Sequence, residues 1–230
     1  VALSNTYNFA PTLGEAGLYA LSRCDVKKTA ILQEHLFDLR MAANLVCMDF
    51  SNKGVNLWQV ELITQALTQG QATYEVDPAV VVILDMYRTQ NPGLEDQSDQ
   101  IMLPISRSEY ASYTNKNQQG VPSTYWNNRL LAPTFTTYLT PDGTWPQISY
   151  YAVKQLMDAN LANGGSVDIP PVWFKAFVDA LVAELSLTYA FEKFQVFKAV
   201  ADASYLVAAE QNVEVASQYI LPQIGSYFSR

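Results

Sequence analysis

The feature that most constrains this chain is a double change of hydrophobic period. Over residues 12–50 the apolar side chains recur at helical spacing, over 58–151 the period falls to two, and beyond 169 the helical spacing returns. A helix must bury a stripe and a strand must bury a face, so this order predicts helical ends that pack on each other around a β-rich insertion. We expect an α+β fold: a four-helix bundle formed by N- and C-terminal helix pairs, residues 1–55 and 166–230, with an antiparallel β domain inserted over 56–165. At 230 residues the chain is long enough to bury a sizeable core.

Local signals set the element ends. Thr12, with Glu15 three residues on, is a capping-box pattern that opens a first short helix toward Cys24. Leu32, Leu36, Leu39, Ala43, Val46 and Phe50 form the apolar stripe of a second helix, which Asn52-Lys53-Gly54 ends. In the β region, Val60 to Thr64 and Thr73 to Val76 flank Gln69-Gly70-Gln71 and read as a hairpin. Val80 to Leu84 reads as a strand buried on both faces. Phe135 to Leu139 and Ile148 to Tyr151 flank a Pro141-Asp142-Gly143 turn. Residues 91–99 and 112–122 read as polar loops. Pro170-Pro171 suits the first turn of a helix whose core face carries Trp173, Phe177, Leu181 and Leu185, with Lys175 and Asp179 paired on another. The last helix, from about Phe191 to Val215 and closed by Pro222 and Gly225, has two apolar stripes. One holds Phe194, Phe197, Ala201, Tyr205 and Ala208, and the other Val196, Val200, Ala203 and Val207. Two stripes need two surfaces to cover them: the chain's own core, and a neighbour.

The composition argues against most chemistry. A net charge of −8 leaves no electrostatic footprint for gripping phosphates, which disfavours specific nucleic-acid binding. Charged residues are only 16% while Tyr numbers 14, which either a Tyr-rich sheet or a surface covered by partners would explain. Cys24 and Cys47 belong to no metal or redox spacing and read as buried free thiols. No secretory leader and no membrane span is expected, since no basic-then-apolar opening and no run of about 18 apolar residues is present. His35 is the single histidine, on the boundary of the second helix, and no nucleophile elbow, Walker loop or dinucleotide fingerprint accompanies it. No catalytic residue, metal or cofactor is therefore expected. Glu95, Asp96 and Asp99 cluster without a calcium-loop register and read as a solvated loop. An enzymatic alternative, a peptidoglycan hydrolase, would have to use Glu15 or that cluster, and no spacing singles out an acid pair. A glycan-binding tail module is a further alternative.

The densest constellation runs from Ile105 to Arg129. Ser106-Arg107-Ser108-Glu109-Tyr110 forms a short helical turn, a polar loop from Asn115 is closed by Gly120 and Pro122, and Tyr125 and Trp126 lead a strand that ends at Arg129. This pattern of a Ser-Arg-x-Glu-Tyr turn, a Lys-x-x-x-Gly-x-Pro loop starting at Lys116 and an aromatic strand resembles the head-to-tail adaptors of short-tailed phages. These are the tail tubular protein A and packaged-DNA-stabilisation type. The helix-β-helix order and Glu210 near the end support the resemblance, while Tyr138 to Asp142 replaces the Trp-Pro-x-Pro-Asp strand and turn found in many such proteins.

The resemblance implies a non-enzymatic virion protein assembled in the host cytoplasm. It implies a homo-oligomer of twelve copies ringed below the portal protein, in contact with a tail nozzle or hub protein and with tail fibres. Double-stranded DNA would pass through its lumen without specific binding. Subunit or partner contacts are expected from Arg107, Glu109, Tyr110, Lys116, Tyr125, Trp126 and Arg129, and from Tyr205, Tyr219, Tyr227 and Phe228 on the last helix and after it.

Overall fold

A computed structural model describes residues 9–54, 56–161 and 165–213. Helix α1 (Leu13–Arg23) opens on the expected capping box: Thr12 Oγ1 accepts the Glu15 N–H at 3.2 Å and the Glu15 carboxylate accepts the Thr12 N–H at 2.9 Å. Helix α2 (Gln33–Asn52) buries Leu39, Ala43, Val46 and Phe50 as its period requires, but leaves Leu32 and Leu36 exposed at its first turns. After α3 (Arg107–Ser112) in the β region come α4 (Pro171–Tyr189) and α5 (Phe194–Ala209).

The hub of the helical part is α4, against which α1, α2 and α5 each pack. Its Trp173, Phe177, Leu181 and Leu185 are all buried, in one core with Leu13, Leu21, Leu39 and Phe50. Burial of each such large side chain contributes about 1.5–3 kcal/mol. Helix α4 is apolar on nearly every side because neighbours surround it. Asp179 is its buried charged residue, and both carboxylate oxygens accept hydrogen bonds.

Among the described residues nine strands follow the first two helices: β1 (Val60–Ala66), β2 (Thr73–Glu75), β3 (Val80–Gln90), β4 (Ser98–Pro104), β5 (Gln119–Gly120), β6 (Thr124–Asn128), β7 (Thr134–Tyr138), β8 (Thr140–Pro141) and β9 (Gln147–Lys154). Seven form one sheet in the order β1-β9-β3-β4-β6-β7-β2, antiparallel except for the β4–β6 pair; β5 and β8 form a small parallel pair. The expected β1–β2 hairpin does not form. β1 pairs with β9 and β2 with β7, so the two strands occupy opposite ends of the sheet order.

That arrangement forces the sheet to curl. Seven strands laid flat would separate the outer two by about 29 Å, at roughly 4.8 Å per neighbour. Residues 67–72 join them, and a linker of that length reaches at most about 25 Å when fully extended. The edges accordingly approach, with the Gln65 side-chain amide donating to the Glu75 carbonyl at 3.4 Å. The curl encloses a second core of Tyr74, Met86, Met102, Tyr125, Phe135, Ile148 and Tyr150. Val80 to Leu84 is half-buried rather than fully enclosed, and β3 there carries register shifts against β9. Gly143 takes the left-handed conformation that the Pro141-Asp142-Gly143 turn requires, with φ of 90°. β7 and β9 on either side of it do not pair with each other.

The segments before β1 and after β9 pack onto the helical core. Trp58 packs on Trp173 at 4.7 Å between ring centroids, Ala159 N–H donates to Asn44 Oδ1 at 3.0 Å, and Leu156 N–H donates to Ser51 Oγ at 3.4 Å.

Candidate interface site

The residues of the 105–129 constellation are built around α3. Ser106 caps this helix through an Oγ that accepts the Glu109 N–H at 3.1 Å. At its other end the Lys116 ammonium donates to the carbonyls of Tyr113 at 2.9 Å and Ala111 at 3.3 Å, which suits a cation at a helix C-terminus. Between the caps, Tyr110 stacks on Trp126 of β6 at 5.4 Å, and Tyr113 stacks on Tyr138 of β7 at 4.0 Å. Tyr110 and Tyr113 meet edge to face at 6.4 Å, and Lys116 Nζ lies 5.6 Å from the Tyr110 ring. The result is a cation-edged aromatic platform on the outer surface of the sheet. Such a platform offers large, rigid, low-entropy contact area with polar tips.

The structure thus brings Tyr110, Lys116 and Trp126 together. Arg107, Glu109 and Arg129 are exposed around them, with no ion pair among the described residues. Tyr125 points the other way: it is 2% exposed in the sheet core, and burial pushes its phenol pKa up. Tyr205 of α5 packs edge to face on Phe50 and Trp173, with Lys53 Nζ 4.6 Å from its ring. Tyr219, Tyr227 and Phe228 lie outside the described residues.

A residue that sequence reasoning passed over holds the loop behind the platform. Arg88 is buried inside the curl, where it donates to the Pro122 carbonyl and to Gln100 Oε1 and sits 4.7 Å from the Trp145 ring. It has no carboxylate partner among the described residues, and burial lowers its pKa. A guanidinium nevertheless stays charged, so the loop carbonyl and the indole face balance its charge. The signal in the sequence was an arginine two residues after Met86, on the same face of the strand as that core side chain. Gly120 belongs to the same anchoring, since a Cβ there would lie 2.6 Å from Leu139 Cδ1.

Apolar side chains also stand open to solvent. Ile101 and Leu103 lie on β4, which neighbours β6, and Leu130 and Leu131 follow β6 in the chain. On α5 the two stripes separate as their spacing implies: Ala201 and Ala208 are buried, whereas Val196, Val200, Ala203 and Val207 face outward.

The side chains weighed for chemistry are engaged locally. His35 Nδ1 accepts the Leu32 N–H at 3.1 Å and its ring stacks on Tyr189. Tyr189 in turn donates to Asp38, and burial together with that carboxylate raises its phenol pKa. Asp96 accepts from Asn91 at 2.7 Å and Asp99 from Thr89 at 2.7 Å, while Glu15 is spent in the capping box. Among the described residues no three metal-ligating side chains converge, and no helix is long and apolar enough to cross a membrane.

Residues 36–218, more than three quarters of the chain, match the family model described as SU10 adaptor protein. No curated protein matches the chain. The match takes in the whole 105–129 constellation and agrees with the resemblance that its residues carry.

Proposed function

The chain belongs to the SU10 adaptor protein family and is a structural adaptor of a phage; from that premise we propose that it is a ring-forming head-to-tail adaptor. It joins the portal to the tail nozzle or hub of a short-tailed phage, contacts tail fibres, lines the DNA channel, and performs no catalysis. The family match over residues 36–218 carries this reading. The exposed stripe on α5 and the aromatic platform around Tyr110 and Trp126 support it, because a ring subunit needs apolar faces beyond those its own core can cover.

In this reading residues 1–55 and 166–230 act as a four-helix bundle module and residues 56–165 as an inserted β domain. Two separate hydrophobic cores support that division. The last helix, with the residues after it through Arg230, docks the portal, and the loops of the β region meet the tail. The platform residues Tyr110, Lys116 and Trp126, with Arg107, Glu109 and Arg129, form part of the tail-facing contact.

Light scattering and electron microscopy of the purified chain, with and without portal, test the reading. Ring-shaped particles, with twelve subunits expected, should cap the portal. A chain that stays monomeric and unbound beside portal would overturn it. Deleting Gln218 to Arg230 should abolish portal capture, and a truncated chain that still docked would remove that half of the proposal. A peptidoglycan zymogram should show no clearing.

A further inference from the structure

We propose that the aromatic platform around Tyr110 and Trp126 recognises an acidic protein segment. This rests on the tail-facing reading above and names the chemistry of the tail-side partner at that site.

The charge around the platform is opposite in sign to that of the chain. Residues 100–141 hold one carboxylate, Glu109, of the 22 Asp and Glu in the sequence, against three cations, Arg107, Lys116 and Arg129. Cations elsewhere, such as Arg23, Lys154 and Lys198, pair with carboxylates of their own chain within 2.8 Å. None of the three does so among the described residues: Lys116 bonds backbone carbonyls, and Arg107 and Arg129 are exposed. Glu75 shares the outer face, by alternation with the buried Tyr74, but stands on β2, two strands from β6, and makes no ion pair with Arg129. The three cations lie close to the rings. Arg107 precedes Tyr110 by one helical turn, and Lys116 Nζ is 5.6 Å from the Tyr110 ring. Arg129 follows Trp126 by three residues, about 10 Å of extended chain.

A partner that covers the rings therefore takes cations out of water as well. An apolar partner would leave those charges with neither water nor counter-charge, which opposes binding, and a basic one would repel them. Asp or Glu side chains supply the missing charge and match the planar fork of each guanidinium. Nucleic acid is the poorer fit. Three cations beside Glu109 are too few phosphate contacts to hold a strand against a chain of net charge −8. Leu130 and Leu131, the exposed pair that follows Arg129, gain nothing from a phosphate backbone, whereas apolar side chains next to acidic ones in a protein segment would cover them.

The test measures binding of the purified tail nozzle or hub protein to the full-length chain on portal, at low salt and at about 0.15 M salt. Wild-type affinity should fall as salt rises, a result that needs no variant. Arg107→Glu with Arg129→Glu should lower affinity about ten-fold, mostly in the association rate, because two exposed attractions become repulsions. Arg107→Lys with Arg129→Lys keeps the charge and should keep most of the affinity. Lys27→Glu with Lys28→Glu makes the same change in net charge on exposed residues of the helical part and should stay within about two-fold of wild type. Tail-protein binding indifferent to salt and to the Arg107 and Arg129 reversal would overturn the acidic partner and leave the tail-facing reading standing. An equal loss from the Lys27 and Lys28 reversal would reduce the effect to net charge and overturn the site. A labelled oligonucleotide retained by the wild type and released by the Arg107 and Arg129 reversal would make the platform a nucleic-acid surface. Loss of self-association in sedimentation, with tail binding intact, would make it a subunit contact; either result overturns the proposal. A wild-type chain on portal that captures no tail protein would sink the tail-facing reading and this partner with it.

Discussion

Asp179 is a buried carboxylate that accepts from side chains on three helices. Its carboxylate is 5% exposed on α4 and takes bonds of 2.6 Å from Arg23 of α1, from Lys175, and from Ser204 of α5, so one residue ties three helices. Burial alone would push its pKa up; the hydrogen bonds from Lys175, Ser204 and Arg23 outweigh that and hold it below the usual carboxylate range. A depressed carboxylate contributes stability that is present above its unfolded pKa, about 3.9, and is lost as pH falls through the folded value. Asp179→Ala removes the carboxylate that joins Arg23, Lys175 and Ser204, and because both cations keep access to solvent it should cost about 1–3 kcal/mol in urea unfolding at pH 7. Asp179→Asn should abolish the part of the acid loss below about pH 4 that this group supplies, seen as a smaller drop in urea midpoint than the parent shows. The two thiols make a second prediction at this scale. Burial pushes the pKa of Cys24 and Cys47 up to about 11 each, so almost no thiolate exists at pH 8. An aromatic disulfide reagent should label neither in the native chain and both in denaturant; prompt native labelling would contradict the packing. The Lys175–Asp179 pair was legible as an i,i+4 spacing, and the free buried thiols as cysteines without metal spacing. The reach of Arg23 and Ser204 to the same carboxylate was not, because it joins residues more than 20 positions apart that only the helix packing brings together.

Helices were more legible than strand pairings, for a physical reason. A capping box and an apolar stripe are local, and α1, α2 and α4 begin where those signals fall. Strand partners are non-local: the alternation in Val60 to Thr64 and Thr73 to Val76 marks two strands correctly, but nothing within either run says that β9 and β7 are their partners. The local hairpin signal at Gln69-Gly70-Gln71 lost to closure of the sheet. The aromatic platform was half legible. Tyr110, Trp126 and Lys116 stood out by type and spacing, whereas the inward turn of Tyr125 follows from the alternation of β6 once Trp126 faces out. One helix contact carries a prediction against local propensity. Gly17 sits mid-α1 where a Cβ would come within 2.1 Å of Leu39 Cδ2, and Leu39 is itself fully buried. Alanine favours a helix over glycine by about 1 kcal/mol, but overpacking a core costs about 1–3 kcal/mol. Gly17→Ala should therefore be neutral to destabilising by up to about 2 kcal/mol in urea unfolding. A clear gain would mean that α1 and α2 are further apart than the packing indicates.

At the scale of the whole molecule, the charge distribution argues against a grip on DNA, as the proposed place in a channel wall would require. The net charge is −8, and much of the positive charge is tied up within the chain. Lys53 pairs with Asp49, Lys154 with Glu61 and Asp77, Lys193 with Asp25, and Lys198 with Asp202. Arg88 is buried, and Lys116 is spent on the end of α3. Nonspecific DNA binding needs several phosphates neutralised together, with affinity falling steeply with salt as each contact releases counterions. The exposed cations without an ion pair among the described residues, Lys27, Lys28, Arg40, Arg107 and Arg129, stand on the turn before α2, on α2, on α3 and at the end of β6. Scattered cations of this kind on an acidic surface repel a duplex at a distance and cannot grip it on contact. Micromolar protein should therefore leave a linear duplex unretarded in a native gel at about 0.15 M salt, and lowering the salt should not produce a shifted band, because weaker screening strengthens the net repulsion. A retarded band that faded with a slope of several phosphates per logarithm of salt would mean that assembly or folding gathers a basic face. The proposed channel wall would then hold DNA instead of letting it slide.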